Sequence, residues 1–334
     1  MLTASVLEDA GETGGKDSLQ LEFAALSSAT DNFSDSNKLG EGGFGAVYKG
    51  KLLGGQEIAV KKLSKNSKQG DLEFKNEVLL LSKLQHKNLV RLLGFCLAGV
   101  ERLLVYELIP NASLDQFLVD NVKRTQLKWQ LRYKIIEGIA RGLLYLHQDS
   151  AFRIIHRDLK ASNILLDAEM NPKISDFGMA RLFVMDQTQC QTNKIVGTYG
   201  YMSPEYAMLG QFSEKSDVYS FGVLVLELIT GQLNNCFLAE ETGEILFSYV
   251  WKKWKEGAFD YIIDPVLGNT SRTEVLRCLH IALLCIQENA LARPTMAAVV
   301  MMLITHSTTL TSPLRPAFLM HTTAQSEASS DYNG

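Results

Sequence analysis

The sequence predicts an α+β chain in two lobes: a small sheet-rich lobe with one helix, then a larger helical lobe, with a ligand cleft between them. Two observations predict it. Up to residue 108 the apolar residues fall in short β-branched runs broken by glycine-rich turns, and after Pro110 they recur at helical spacing over long stretches. With 334 residues, 46% of them apolar, the chain can bury a core in each lobe.

In chain order, residues 1–38 are rich in Ser, Thr, Gly, Asp and Glu, with one apolar patch at Phe23, Leu26 and Phe33, and are read as a linker. Residues 39–108 form the first lobe: a glycine-rich hairpin from Leu39 to Lys51, then strands at Glu57 to Lys62, Leu89 to Cys96 and Leu103 to Leu108. One helix interrupts them, from Leu72 to Leu84, with Asp71 as its N-terminal carboxylate. Residues 109–305 form the second lobe, with helices at Ile135 to His147, Val218 to Thr230, Ile245 to Lys255, Thr273 to Gln287 and Thr295 to Leu303. Short strand-like pieces lie at Ile154-Ile155, Ile164 to Leu166 and Lys173-Ile174. Residues 306–334 are again rich in Ser and Thr and are read as a mobile tail.

A net charge of -4 with mixed signs gives no basic field for nucleic acid. Cys96, Cys190, Cys236, Cys278 and Cys285 are an odd set without a CxxC pair, which favours reduced thiols over disulfides or zinc. The Asn-x-Ser triplets at Asn32, Asn111 and Asn269 then read as chance matches. No run approaches the ~18 apolar residues of a membrane span. Met1-Leu2-Thr3 has neither a signal-peptide pattern nor a myristoylation start, so the chain taken alone is expected to be soluble and cytoplasmic.

Gly40-Glu41-Gly42-Gly43-Phe44-Gly45-Ala46-Val47 matches GxGxxGxV, in which glycines let a backbone approach phosphate oxygens closely. The same string could open a dinucleotide-binding βαβ unit. The next element, Glu57-Ile58-Ala59-Val60-Lys61, reads as a strand rather than a helix, which argues against that unit, and no Walker-type GxxxxGK[ST] is present. Lys61 can aim its ammonium at phosphates, and Glu77 inside the helix can pair with it. Taken singly, an exposed strand lysine and a solvated helix glutamate read equally well.

Ile154-Ile155-His156-Arg157-Asp158-Leu159-Lys160-Ala161-Ser162-Asn163 follows, then Asp176-Phe177-Gly178 and Ser203-Pro204-Glu205. In order and spacing these motifs resemble the protein-kinase signature set, from Leu39 to Leu303. The resemblance implies a bilobal kinase fold with ATP in the cleft and Mg²⁺, or Mn²⁺ in its place, on Asn163 and Asp176. It implies that Asp158 orients the substrate hydroxyl and that Lys160 contacts the γ-phosphate, as in the serine/threonine type; Thr198 points the same way. Leu39, Val47, Ala59 and Leu165 would sandwich adenine, backbone groups of Glu107 and Leu108 would read its edge, and Tyr106 would be the gatekeeper. Arg157 implies control by phosphorylation at Thr188, Thr192 or Thr198, with Thr192 favoured. Glu205 with Arg293, and Asp217, would be structural braces.

Ala29-Thr30-Asp31-Asn32-Phe33-Ser34, Phe95, and Gly200 to Tyr206 further resemble plant receptor-like kinases, closest to the cysteine-rich group. That implies receptor-like signalling, protein substrates, autophosphorylation in trans and a place at the inner face of the plasma membrane. Three rivals were weighed. A pseudokinase would lack one of Lys61, Asp158, Asn163 and Asp176; an oxidoreductase needs a helix after the glycine turn; a small-molecule kinase fits the full activation segment less well.

Overall fold

The computed structural model describes residues 19–43, 45–64, 68–183, 189–192, 194–234, 245–268, 270–305 and 307–318. Helix α1 (Phe23–Ala29) leads into a five-stranded antiparallel sheet in the order β1-β2-β3-β5-β4. The strands are β1 (Lys38–Gly42), β2 (Gly45–Lys51), β3 (Glu57–Leu63), β4 (Leu92–Ala98) and β5 (Glu101–Glu107), with helix α2 (Lys68–Leu81) between β3 and β4. Residues 89–90, read as part of a strand with Cys96, instead bridge to Ile174 of the second lobe.

Alternation along β3 sets the lobe's two faces. Ile58 and Val60 are fully buried in a small cluster with Leu26, Cys96, Leu103 and Val105, while Ala59 and Lys61 turn to the cleft. Leu26 comes from the segment read as linker, so residues 19–38 are corrected to part of the lobe. The segment also adds a parallel bridge to the edge of β4, where Leu21 N–H donates to Phe95 O and Phe95 N–H to Leu19 O, both at 2.8 Å. Gly94 permits that approach, since a Cβ there would lie 2.5 Å from Leu19 O. Truncating Leu26 to Ala should cost about 2–5 kcal/mol, read as a fall in the urea midpoint at constant m-value.

The second lobe is helical: α3 (Leu114–Val119), α4 (Asn121–Gln126), α5 (Trp129–Leu144), α6 (Pro204–Leu209), α7 (Glu214–Thr230), α8 (Leu246–Glu256), α9 (Arg272–Cys285) and α10 (Met296–Ile304). Almost every residue of α7 from Ser216 onward is buried, so it forms the lobe's axis. It starts four residues before the expected Val218 because Ser213 and Ser216 form a reciprocal cap. The expected helix to His147 ends at Leu144, followed by one wide turn closed by Ser150 N–H on Tyr145 O. The reading of residues 306–334 as a mobile tail is corrected for 307–318: Ala317 is buried against the lobe and Pro316 bridges to Gln287.

Candidate active site

A cleft of about 470 Å³ lies between the sheet and the helical lobe. Among residues assigned to the nucleotide site, Leu39, Gly40, Glu41, Gly42, Gly45, Val47, Ala59, Tyr106, Glu107, Leu108 and Leu165 line it. Gly43 and Ala46 belong to the same hairpin without lining the cleft, and Phe44 lies outside the described residues. Gly45 has φ 138°, and a Cβ there would meet Lys62 O at 2.1 Å, so β2 and β3 pair this closely only with glycine.

Lys61 Nζ donates to Glu77 Oε1 at 2.8 Å and to Asp176 Oδ1 at 2.9 Å, joining β3, α2 and the Asp176-Phe177-Gly178 turn. Burial presses the Lys61 ammonium towards neutrality, but the charges of Asp176 and Glu77 outweigh it, so its pKa is raised and it stays charged. Asp176 is likewise buried, yet Lys61 holds its carboxyl below the usual value. Burial dominates for Glu77, which is raised despite Lys61. The Tyr106 hydroxyl donates to Glu77 Oε2, so the gatekeeper fixes the carboxylate that fixes the lysine.

The catalytic loop is held from beneath. His156 and Arg157 N–H donate to Asp217 Oδ2 and Oδ1 at 2.8 and 2.9 Å, supporting the left-handed backbone of Arg157 at φ 69°. Above it, Lys160 Nζ lies 2.9 Å from Asp158 Oδ2 and donates to Thr198 Oγ1 at 2.9 Å, while the Thr198 hydroxyl donates to Asp158 Oδ1 at 2.8 Å. Asn163 Nδ2 donates to Asp158 O and Oδ2, which leaves its amide oxygen as a ligand donor. Asn163 and Asp176 both line the cleft. Two hard oxygen donors without an all-protein cage fit a divalent cation shared with phosphate oxygens.

Glu205 and Arg293 meet as a two-pronged pair at 2.8 and 2.9 Å, and Arg293 holds the Glu205 carboxyl low against the upward push of burial. Arg157 is capped by Met179 O and the Tyr206 hydroxyl and lies 4.4 Å from the Phe212 ring, but its buried Nε has no hydrogen-bond partner. Thr192 N–H donates to Gly210 O beside α6, and Thr188 lies outside the described residues.

Sequence reasoning missed Ser113, Asp115, Gln116, Ser162 and Ser175 in the cleft lining. Only Ser113 with Gln116 carries a signal, the S-x-x-Q pattern that opens a helix. It also missed Glu227, fully buried on α7, which accepts from the Tyr201 hydroxyl at 2.6 Å and from Asn234 N–H. Burial, with Asp115 nearby, lifts Glu227 from the ordinary 4.5 to about 8. Between those values the unfolded chain releases a proton that the folded chain keeps, so stability falls as pH rises, by up to about 1.4 kcal/mol per pH unit. Glu227→Gln should flatten the decline in Tm between pH 5.5 and 8.5; an unchanged decline would exclude Glu227 as its source.

This two-lobed fold, with Lys61, Asn163 and Asp176 lining one cleft and Glu77 and Asp158 hydrogen-bonded to them from behind, is that of a protein kinase. Comparison with known families agrees, and covers most of the folded body. The chain belongs to the protein tyrosine and serine/threonine kinase family, whose model matches residues 33–303. It is 62% identical to cysteine-rich receptor-like protein kinase 29 of Arabidopsis thaliana over 323 residues, 96% of this chain and 47% of that protein. It is also 62% identical to cysteine-rich receptor-like protein kinase 10 of the same plant, over 90% of this chain and 45% of that protein. The chain thus spans about half the length of these relatives. Among the described residues no helix is long and apolar enough to cross a membrane.

Proposed function

We propose that this chain is a serine/threonine protein kinase that moves the γ-phosphoryl group of ATP onto hydroxyls of protein substrates, its own activation segment in trans included. One observation carries the reading: Asp158, Lys160 and Thr198 are joined by hydrogen bonds beside the Lys61, Glu77 and Asp176 triad. The Thr198 hydroxyl on Asp158 is the contact a substrate hydroxyl makes in this reaction.

Asp158 orients the attacking oxygen. A bond forms from that oxygen to the γ-phosphorus as the bond to the bridging oxygen breaks and ADP leaves, and the proton passes late to Asp158. Lys160 meets the γ-phosphate, and Lys61, aimed by Glu77, meets the α and β phosphates. The hairpin around Gly40, Gly42 and Gly45 covers the phosphates; Leu39, Val47, Ala59 and Leu165 hold the adenine, whose edge the backbone of Glu107 and Leu108 reads. Asn163 and Asp176 would hold Mg²⁺, or Mn²⁺ in its place, which would supply charge neutralisation for the phosphates. Lys160 and Thr198 support serine and threonine over tyrosine as acceptors.

Arg157, with Arg181 close enough for its pKa to be depressed by burial and then by the Arg157 charge, supports regulation by an activation-segment phosphate, with Thr192 as the favoured site. Likeness to relatives named receptor-like kinases supports a role in receptor-like signalling at the inner face of the plasma membrane. The test is labelled phosphate from ATP with Mg²⁺, followed by site mapping. Phosphate on Ser and Thr is expected; ATP binding with phosphate on tyrosine alone, or on no residue, would overturn the reading.

A further inference from the structure

The family match ends at residue 303, yet residues 307–318 are laid along the helical lobe. Their first half is fastened by carbonyls. Arg277 donates to Thr305 O and Thr308 O from its terminal nitrogens, and the His280 ring meets Thr311 O at 2.7 Å. Their second half is fastened to one short loop. Leu314 N–H donates to Gln287 Oε1 at 2.8 Å, Glu288 N–H to Arg315 O at 3.1 Å and Ala317 N–H to Ile286 O at 3.2 Å, with Pro316 bridging Gln287.

That loop, residues 286–288, is also what aims Arg293. The Arg293 side chain is almost fully buried, and it donates from Nε to Gln287 O at 2.8 Å and from one terminal nitrogen to Glu288 O at 3.1 Å. Its two terminal nitrogens then reach Glu205. A second route runs through rings. The guanidinium carbon of Arg293 sits 5.1 Å from the centroid of Tyr219, and Phe318 packs edge-on against the same ring at 6.4 Å. The Tyr219 hydroxyl is buried without a hydrogen-bond partner, and the Tyr219 ring also packs edge-on against Phe247 at 6.2 Å.

We propose that residues 314–318 are a positioning strap for peptide phosphorylation: by pairing with residues 286–288 and packing Phe318 on Tyr219, they fix the direction in which Arg293 holds Glu205. Glu205 lies in the first turn of α6, one residue beyond the Pro204 that opens it after the stretch from Thr198 to Ser203, and Thr198 is bonded to Asp158. Loosening the strap therefore moves the ledge on which a peptide lies and leaves the nucleotide cleft alone, because that cleft is lined by residues from 39 to 176 and by none of residues 286–288 or 314–318. The inference rests on the kinase reading of the cleft, which supplies the reaction it would tune.

The test compares a chain ending at Phe318 with one ending at Thr305, together with Phe318→Ala and Phe318→Tyr in the full chain. The readouts are KM for a serine peptide and for ATP, well below Tm. The shorter chain should show a peptide KM raised about tenfold, short of the roughly hundredfold that a 1 Å misplacement can cost, with KM for ATP unchanged. Phe318→Ala should fall between, and Phe318→Tyr, which keeps the ring, should match the parent. A lower Tm with both KM values unchanged would overturn the proposal and leave the strap as a stability element only. If the shorter chain fails to fold, Phe318→Ala against Phe318→Tyr decides by the same readouts. If no chain transfers phosphate, the functional reading fails on its own, and amide exchange of residues 205–209 still decides the strap: faster exchange in Phe318→Ala supports it, and unchanged exchange overturns it.

Discussion

Asp158→Asn should lower phosphate transfer by about two orders of magnitude or more while ATP binding persists. Asp158 is 3% exposed and sits among three donors: Asn163 Nδ2, the Lys160 ammonium and the Thr198 hydroxyl. Asparagine keeps the size and one acceptor oxygen. It removes the negative charge that balances Lys160, and with its oxygen kept on Asn163 and Lys160 its amide nitrogen faces the Thr198 hydroxyl as a donor, where the carboxylate had accepted. The carboxylate that aligns the hydroxyl and later takes its proton is gone. Because Asp158 is not among the residues that line the nucleotide cleft, KM for ATP should stay within a few-fold of the parent. Steady-state kinetics with a saturating peptide separates the two effects; a kcat within about tenfold of the parent would rule Asp158 out as the positioning base.

How far the sequence revealed this site depends on how tightly chemistry restricts the residue type. Lys61 and Asp176 lie 115 positions apart and meet at 2.9 Å; each stands in a motif that the sequence assigns to one nucleotide cleft, though not to each other. The Glu205 and Arg293 pair, 88 positions apart, was legible only through family resemblance, since Ser203-Pro204-Glu205 has meaning only as a family motif and Arg293 has no local pattern. The Tyr106 contact with Glu77 had no signal, because a strand tyrosine next to buried valine and leucine reads as ordinary sheet packing. The partners Arg157 has in the structure carried no signal: the rings of Tyr206 and Phe212 lie in segments too short for periodicity to mark. Both ends of the folded body were misread for one reason. Small and polar residues make up most of both segments, and a Leu26 or Ala317 that buries almost completely does not move a window average.

Lys61→Met should separate stability from activity in a way that a generic core defect cannot. Removing the ammonium leaves Glu77, fully buried, and Asp176 facing each other without a cation, at a cost of about 3–5 kcal/mol. Adding Glu77→Gln to the same chain removes one of the two charges and keeps an acceptor for the Tyr106 hydroxyl, so much of the stability should return. Phosphate transfer should not return, since no group is left to meet the α and β phosphates, and both variants should stay at least about a hundredfold below the parent. Glu77→Gln alone should lose less than Lys61→Met, because Lys61 keeps Asp176 at 2.9 Å and remains charged, though less firmly aimed. The measurement is a double-mutant cycle read twice, by urea midpoint and by kcat/KM. Recovery of both quantities in the double variant would mean that Lys61 serves only to neutralise Glu77; recovery of stability alone assigns it to the nucleotide.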